Sequence, residues 1–494
     1  MAGELDPSLL TSQYLLARVP GVVPDGWRRQ ALGEWVLVTA PDLPALPLAD
    51  EVGKPLGWVV GHPVDPDAGA IVAGTIRLSF AATSATDLMR ALDEELHRLG
   101  GRWAALVVQP RPLALPDGYG SLPVLYAPAL ETVTSSPFLL ARSEALPADS
   151  ELVDVMRVYE TGLTFGLGTT PLAGVELLAP NHGLDLRTWT AARVWPREPL
   201  EPIGLAEAVE RVAASFEATI AAAVRLGNAH DGLTAGGDTR MIVACARAHV
   251  DRIDFFTVPF PDLTGRTDAR WAPRIARQFG LSHRVLPWQP PGSDEVKRFM
   301  YRTGCLVGER RGRLAGPTYA LLGADGPYVS GVNGCIARGA DWKRGDRADT
   351  VIPARDLPRR LYLPEHPELV RRAETWHASR PAMHKLDMLT LLQIEGFDTA
   401  WGGQIAGAYV DAATVTLYPY GNRDVIEAFL RVPWADRWDD RVRRGVIASR
   451  WPELLELPFN QPSLRVAAEH RGRRWAGRAR AAVRKAGRAL SPGR

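Results

Sequence analysis

Residues 233–241 read LTAGGDTRM and stand between a short apolar stretch and the run IVACARA at residues 242–248. Two glycines, two hydroxyls and a carboxylate therefore fall between a predicted strand and a predicted helix. The stretch fits an ordinary strand-to-helix turn in which Asp238 or Thr239 caps the helix. It also fits a tight bend that needs glycine dihedrals, or a loop that binds a ligand.

The chain around this loop alternates long helical patterns with short apolar runs. Helices are predicted over residues 205–226, 239–249 and 269–280, and strands over residues 230–235, 253–260 and 328–331. Strands that alternate with helices of this size predict a parallel sheet covered on both faces. Ligands of such sheets bind at the carboxyl ends of the strands, where the loop lies. Residues after about 350 are predicted to be mainly helical.

The residue types in the loop suit an anion. Gly236 and Gly237 allow consecutive amide N–H groups to turn inward, and the start of the following helix adds partial positive charge. Thr234 and Thr239 add hydroxyl donors, while Asp238 is a hard oxygen ligand of the kind that binds Mg²⁺. The stretch has no lysine at its end, so it does not match G-x-x-x-x-G-K-[ST]. It predicts a cradle for phosphate or pyrophosphate.

Residues 1–195 have a different texture, because short Val, Leu and Trp runs alternate with Pro, Gly and Asp. Strands are predicted at residues 34–40, 57–61, 70–80, 102–109, 122–127 and 132–136. Residues 87–99 (DLMRALDEELHRL) carry apolar side chains at helical spacing. The polar stretch VWPREPLEPIG at residues 194–204 holds three prolines and is the predicted domain boundary.

Length and composition set the class of protein. A chain of 494 residues with 46% hydrophobic and 23% charged residues indicates a globular protein of about two domains. The net charge of +2 hides a basic tail, because residues 465–494 hold ten Lys or Arg and one acid. The tail could lie on anionic lipid, contact nucleic acid or form a disordered end, which Gly472, Gly477 and Gly487 favour.

The cysteines and the apolar runs predict a location. Cys245, Cys305 and Cys335 cannot all pair with one another and show no C-x-x-C spacing, so we expect a reducing, cytoplasmic setting. The first residues, MAGELDPSLLTSQYLL, lack the basic start of a signal peptide. No uninterrupted apolar run approaches the roughly 20 residues that span a bilayer.

The loop resembles the S-G-G-x-D-S pyrophosphate loop of the asparagine synthetase-like, N-type ATP pyrophosphatase (PP-loop) family. Thr234 stands for the first Ser, Ala235 and Gly236 for the two glycines, Asp238 for the Asp and Thr239 for the last Ser. Four later stretches resemble that family in order, at residues 253–260, 267–285, 330–342 and 417–437. Residues 100–127, the TSSPFLL that follows and residues 170–186 resemble the glutamine amidotransferase half of asparagine synthetases.

This resemblance implies a fold and an activity. The fold would be α/β: an N-terminal Ntn-hydrolase-like α+β sandwich over residues 1–195, then a parallel-sheet PP-loop domain with a helical C-terminal part over residues 205–460, then the tail at 465–494. The activity would adenylate a carboxylate with ATP and Mg²⁺ and transfer it to an amine. Relatives with this layout include β-lactam synthetases and lasso-peptide cyclases.

Two departures from the family pattern bear on activity. A glutaminase of this kind needs Cys as its second residue, and this sequence has Ala2, so we expect no glutaminase activity. The second loop of the family supplies another carboxylate for Mg²⁺, and the matching position is Cys335, a poor ligand for a hard cation. Asp341 or Asp325 could replace that carboxylate, and Cys335 could simply be a small packed residue.

The resemblance and the residue types together give the candidate site. The catalytic candidates are Asp238, which is also the metal ligand, Glu395 and Arg465, with Asp398 as a further acid or base on the helix of Glu395. The nucleotide contacts would be Thr234, Ala235, Gly236, Gly237, Asp238, Thr239, Arg240, Thr257, Val258, His283 and Gly331, and Arg338 is a further anion contact. For Glu395, Asp398 and the arginines a plain surface role is the alternative.

The expected partners follow from the same reading. They are a small-molecule or peptide carboxylate and an amine, with a homodimer and a weak contact of the tail with an anionic surface as further expectations. A second hypothesis is a catalytically impaired, nucleotide-binding paralogue that acts as a partner protein in a biosynthetic complex. Asp238 favours the ligase, and Cys335 favours the impaired paralogue.

Overall fold

The computed structural model describes residues 10–21, 24–140, 146–158, 163–308, 326–339, 341–343, 345–347, 349–408 and 415–462. The N-terminal strands are β1 (Tyr14–Ala17), β2 (Arg28–Leu32), β3 (Trp35–Thr39), β4 (Ala45–Ala49), β5 (Pro55–Asp65), β6 (Ala70–Ile71), β7 (Ile76–Arg77), β8 (Gly100–Val107), β9 (Leu113–Pro116), β10 (Leu125–Ala127), β11 (Thr132–Thr134), β12 (Glu176–Leu177), β13 (His182–Asp185) and β14 (Thr190–Arg193). Two helices accompany them, α1 (Leu88–Leu96) and α2 (Ser150–Met156).

These strands form two sheets. The first has the order β12-β10-β11-β1-β3-β2, and the second has the order β14-β13-β9-β8-β5-β4-β7, with β6 paired to β5. Neighbouring strands are antiparallel except for β4 and β7. The predicted strands are found, but residues 70–80 divide into β6 and β7, because the segment bends at Gly74, whose φ is +79°.

Apolar side chains fix the layers of this half. Trp35 and Leu37 of the first sheet pack against Trp58 and Leu106 of the second in one buried cluster. The other face of the second sheet packs against α1, whose Leu88, Met89, Leu92 and Leu96 are buried. The predicted helical spacing at residues 87–99 is therefore confirmed, and Asp87 caps the helix by accepting a hydrogen bond from the Arg90 N–H.

The second half contains the parallel sheet. Its strands are β15 (Ala229–Gly232), β16 (Ile253–Thr257), β17 (His283–Val285), β18 (Tyr328–Val329) and β19 (Thr416–Leu417). Its helices are α3 (Leu205–Leu226), α4 (Gly237–Cys245), α5 (Leu263–Phe279), α6 (Ser293–Arg302), α7 (Leu357–Arg360), α8 (Pro367–Ser379), α9 (Lys385–Gln393), α10 (Thr399–Ala408), α11 (Arg423–Arg431), α12 (Trp434–Trp438) and α13 (Arg441–Arg450). A π-helix, Ile394–Asp398, joins α9 to α10.

The order of the parallel strands positions the loop. Across the sheet the order is β17-β16-β15-β18-β19, and every neighbouring pair is parallel. The chain therefore builds outward from β15 in one direction and then crosses to β18 on the other side. A crevice opens at the carboxyl ends of the strands where such an order reverses. Residues 233–239 follow β15 directly and lie at that reversal.

The chain is thus a mixed α/β protein with several sheets, one of them parallel. None of the described helices is long and apolar enough to cross a membrane. The predicted boundary at residues 194–204 separates the antiparallel sheets from α3 along the chain. The largest apolar cluster nevertheless contains residues from both sides of that stretch, among them Tyr119 and Phe165 before it and Phe216 and Tyr420 after it.

Candidate functional site

The loop after β15 is braced by its own side chains. The Oγ1 atoms of Thr234 and Thr239 are 2.8 Å apart, and Thr239 Oγ1 also accepts from the Thr234 N–H at 3.3 Å. Thr234 Oγ1 accepts from the Gly236 N–H at 3.0 Å. Helix α4 begins at Gly237 with Gly236 as its N-cap and has no side-chain cap. The capping role considered for Asp238 and Thr239 is therefore wrong, because both lie inside the first turn.

The two glycines are needed for space. Gly236 has a φ of −77°, and neither it nor Gly237 has a positive φ. A Cβ on Gly237 would lie 2.5 Å from Cζ of Arg443, and a Cβ on Gly236 would lie 3.1 Å from Thr234 Oγ1. The tight bend that required glycine dihedrals is therefore wrong. What Gly237 permits is the close approach of an arginine to the start of a helix.

Asp268, on α5, supports the loop from the next segment. Its Oδ1 accepts from the Ala235 N–H at 2.8 Å. Burial raises the pKa of this carboxyl to about 6, and the Ala235 N–H opposes that shift. This residue could be found from the sequence, because Asp268 is an acid in the segment 267–285, which resembles the family.

A pocket of about 380 Å³ opens beside the loop. Its lining includes seven residues singled out in the sequence: Thr234, Asp238, Thr239, Thr257, Val258, Gly331 and Cys335. The residues around it follow the carboxyl ends of β15, β16 and β18, as the strand order requires. The lining also includes four aromatic side chains, which we call the aromatic wall and which sequence reasoning did not identify: Phe256, Phe260, Tyr328 and Trp401. The pocket therefore combines a polar loop with aromatic side chains.

Asp238 is held by two arginines. Its Oδ2 accepts from Nη2 of Arg338 at 3.0 Å, and its Oδ1 accepts from Nη1 of Arg443 on α13. Arg443 also donates to Oδ2 of Asp440 at 2.7 Å. The backbone carbonyl of Asp238 accepts from the hydroxyl of Tyr420 at 3.0 Å. Both carboxylate oxygens are thus engaged by guanidinium groups, and the sequence did not indicate Arg443.

Cys335 lines the same pocket as the loop residues Asp238 and Thr239. Burial raises the pKa of its thiol well above the ordinary value, and the carboxyls of Asp398 and Asp238 add to the shift. Burial likewise raises the pKa of Asp341 to about 7 and that of Asp398 to about 8. Asp325, the other candidate acid, lies outside the described residues. Cys335 is therefore a neutral thiol, and Asp341 and Asp398 are carboxyls with raised pKa values that are not among the residues lining the pocket.

Mg²⁺, which the family resemblance implies, does not fit this set of donors. Mg²⁺ is usually bound through one or two carboxylates, and both carboxylate oxygens of Asp238 are already paired with guanidinium groups. Cys335 is a poor donor for such a cation. No three His, Cys, Asp or Glu side chains among the described residues are placed to hold a metal ion. The expectation that Asp238 ligates Mg²⁺ is not supported by its surroundings.

Arg240 does not reach the pocket. It is completely buried, and its guanidinium donates to the carbonyls of Ala235, Leu454, Leu457 and Pro458. It also lies 4.1 Å from the centre of the Phe459 ring. Because all these partners are behind the loop, Arg240 anchors residues 454–459 to the loop. Arg240 is not among the residues that line the pocket, so the structure corrects the prediction that it contacts a nucleotide.

His283 acts on the pocket through Thr257. Thr257 Oγ1 is 2.6 Å from the Leu233 carbonyl, to which it donates, and 2.8 Å from Nε2 of His283. The hydroxyl has one hydrogen, so it accepts from His283, whose proton is then on Nε2. Burial lowers the pKa of His283, which favours this neutral form. His283 is absent from the pocket lining and orients Thr257, which lies in that lining.

Glu395 is buried and is not among the residues that line the pocket. The carboxylate is 1% exposed and accepts hydrogen bonds from Arg193, Asn181 and Trp376. It lies in the π-helix, where it joins the second half of the chain to the antiparallel sheets. The solvated helix face is wrong, because the side chain is buried. The catalytic role stays a prediction, and Glu395 is not among the residues that line the pocket. Arg465 lies outside the described residues.

Comparison with known proteins adds no family. No protein-family model matches the sequence, and no curated protein matches it. The proposed function is therefore based on the geometry of the pocket.

Proposed function

We propose that the pocket beside residues 233–239 binds ATP. The observation that supports this is the position of the pocket at the reversal of a parallel sheet, between an uncapped helix start and an aromatic wall. The aromatic side chains suit a purine ring, with Val258 beside it. The hydroxyls of Thr234 and Thr239 and the start of α4 suit a phosphate chain.

We propose further that the chain is an AMP-forming amide ligase. A carboxylate oxygen of the substrate would attack the α-phosphorus of ATP, and pyrophosphate would leave. An amine would then attack the acyl carbon, and AMP would leave with the bonding pair of the broken C–O bond. The resemblance of residues 233–239 and of the four later stretches to asparagine synthetase-like enzymes motivates this proposal. Because the first cysteine is Cys245, the proposal includes no glutamine hydrolysis in the antiparallel half.

The architecture is part of the same proposal. The two packed antiparallel sheets would be a degenerate amidotransferase-like, Ntn-type sandwich. The sheet β15–β19 would be the PP-loop domain. Its order, with the first strand central and the crossing to β18, gives the crevice that such chemistry needs.

A second candidate function is nucleotide binding without turnover, in a partner protein of a biosynthetic complex. The observation that favours it is the engagement of both Asp238 oxygens by Arg338 and Arg443, together with Cys335 at the position of the expected acid. In this case ATP would hold the loop in place, and no carboxylate would be activated.

Nucleotide binding is tested first, with a variant that fills the pocket. A Cβ on Gly232 would meet only Tyr328 Oη at 3.7 Å and Phe256 Cζ at 4.0 Å, so Gly232→Leu adds a side chain among the aromatic residues without striking the backbone. The matched control is Gly21→Leu, at an exposed position with no atom within 4 Å. We expect ATP binding, measured by calorimetry, to be lost in Gly232→Leu and kept in Gly21→Leu. Equal binding by both variants contradicts the pocket assignment.

Turnover is tested by pyrophosphate release. ATP is mixed with panels of carboxylates and amines, and the release by the wild-type chain is compared with that by Gly232→Leu. A carboxylate-dependent signal in the wild type alone supports the ligase. Tight ATP binding with no release above the Gly232→Leu background, for every pair in the panel, supports the partner protein.

A further inference from the structure

We infer that the loop binds the phosphate chain of a nucleotide without a divalent metal, because Arg443 and Arg338 supply the positive charge. The inference rests on the proposed nucleotide binding and names how the charge is balanced. It differs from the expectation that Asp238 and a second acid hold Mg²⁺.

Asp238 already forms ion pairs with Arg443 and Arg338. A metal ion at this carboxylate would have to displace Arg443 or Arg338, or lie beside both of them. Arg443 is only 5% exposed and is also paired with Asp440, so its guanidinium has no solvent to retreat into. A dication next to these two guanidinium groups is repelled by both. An anion at the same place is attracted by both.

The charged side chains around the start of α4 carry an excess of positive charge. Three guanidinium groups surround one ring, with Arg240, Arg444 and Arg443 at 4.1, 4.9 and 5.9 Å from the centre of Phe459. Arg338 is the fourth cation at the loop. The acids paired with this group are Asp238 and Asp440. Asp268, which accepts from the Ala235 N–H of the loop, is a third acid at this place. Four arginines against three aspartates leave an excess of one positive charge, which suits an anion.

Arg443 lies close to the start of α4. The guanidinium carbon would be 2.5 Å from a Cβ on Gly237, so it lies directly against the first residue of α4. This helix has nine residues and no side-chain cap. Arg443 Nε is buried and has no hydrogen-bond partner among the described residues. A helix start and an arginine with an unused donor thus occupy one place, and both favour an anion.

Cys335, at the position of the expected second acid, does not oppose this charge. Its thiol is neutral because burial raises its pKa. Asp238 and Asp268 are the acids in the pocket lining, and Asp268 has a pKa raised by burial to about 6. The position at which the resemblance implies a second carboxylate for Mg²⁺ therefore adds no negative charge.

The inference is tested by titrating a fluorescent ATP analogue into the full chain, once with EDTA and once with excess Mg²⁺. We expect dissociation constants that agree within about threefold, a difference of less than ~1 kcal/mol. Binding that requires Mg²⁺ overturns the inference and leaves the proposed ATP binding intact. Binding in neither buffer contradicts the proposed function itself. The two failures are therefore distinguishable.

Variants test the assignment to the arginines. Arg443→Met should weaken binding in EDTA by about 10- to 100-fold, as expected for lost charged hydrogen bonds. It also frees Asp238, so Mg²⁺ should restore part of the affinity of this variant alone. Arg441→Met makes the same charge change on α13 at a side chain that is 58% exposed and paired with Asp436, and should bind as the wild type does.

A second variant guards against misfolding of the first. Arg338 is 47% exposed, so Arg338→Gln should fold, and we expect it to weaken binding in EDTA by about 3- to 10-fold. Thermal unfolding curves confirm that each variant is folded. Unchanged affinity in EDTA for folded Arg443→Met, or for Arg338→Gln if the first variant is unfolded, overturns the inference.

Discussion

Arg193, the last residue of β14, donates two hydrogen bonds to Glu395 in the π-helix, from Nη1 to Oε1 at 2.8 Å and from Nη2 to Oε2 at 2.7 Å. The side chains are 4% and 0% exposed. Asn181 and Trp376 donate to the same carboxylate at 2.9 and 2.6 Å. Trp376 lies in α8 of the second half, so the three hydrogen bonds from Arg193 and Asn181 join the antiparallel half to the helical part of the second half.

Removing one partner of this pair should be costly. Arg193→Met leaves the Glu395 carboxylate buried beside only two neutral donors, and we expect a loss of about 3–5 kcal/mol in the free energy of unfolding. The control is Arg187→Met, because Arg187 is 55% exposed and pairs with Asp185, and it should change stability by less than ~1 kcal/mol. Urea unfolding measures both. Equal stabilities of the two variants would show that the pair is dispensable.

The same pair sets an acid limit on stability. Burial alone would raise the pKa of Glu395, but the Arg193 guanidinium and the other donors hold it below its usual value. A depressed carboxyl pKa contributes stability above the pKa of the unfolded chain, and this contribution is lost as the pH falls through the folded value. We therefore expect Glu395→Gln to be less stable than the wild type at neutral pH and to lose less stability on acidification. Unfolding titrations at several pH values measure the difference.

Asp398 should give the opposite pH dependence. Burial raises its pKa to about 8, although Gln393 donates to it at 2.7 Å. The folded chain then keeps a proton that the unfolded chain releases near pH 4, so stability falls as the pH rises between these values, by on the order of 5 kcal/mol. Asp398→Asn should flatten this slope. An identical slope in the variant and the wild type, measured by unfolding at about pH 5.5 and 8.5, would contradict the prediction.

Asn422, at the start of α11, should be a structural residue. Its Oδ1 accepts from the Gly101 N–H on β8 at 3.0 Å, and its Nδ2 donates to the Ser215 and Thr219 hydroxyls of α3 at 3.0 and 2.9 Å. Asn422→Ala leaves the Gly101 N–H without this partner, and we expect a loss of about 2–3 kcal/mol. Asn228→Ala offers a comparison on the same kind of side chain. A loss no greater than that of Asn228→Ala in urea unfolding would show that these hydrogen bonds add little.

The cysteines should be unreactive in the folded chain. Cys245 and Cys305 are buried, and burial raises the thiol pKa of both Cys245 and Cys335. The thiolate is the form that reacts with alkylating reagents. We expect iodoacetamide at neutral pH to label the native chain slowly and to label three cysteines quickly in denaturant. Rapid modification of Cys335 in the native chain, located by mass spectrometry, would contradict its assignment as a packed, neutral thiol.

The sequence predicted the loop because local signals decide it. Alternating periodicity indicated the parallel sheet, and residues 233–239 lie at its carboxyl edge as expected. Arg443 was missed because it is about 200 residues from Asp238 in sequence, and nothing in RVRRGV distinguishes it from its exposed neighbours. Glu395 was misjudged for the same reason, since its partner Arg193 belongs to the other half. Local patterns give elements and edges, whereas ion pairs between distant segments depend on the complete fold.

The apolar cluster shared across residues 194–204 limits how the two halves can behave. A Cβ on Gly402 would lie 2.0 Å from Tyr119 Oη, and one on Gly120 would lie 2.3 Å from Thr399 Oγ1, so the loop at residues 117–121 fits into α10 with no spare room. A protease that cut the proline-rich connection would therefore leave two fragments that stay together as one particle. The connection carries the chain from one half to the other, and the contacts between the halves do not depend on it.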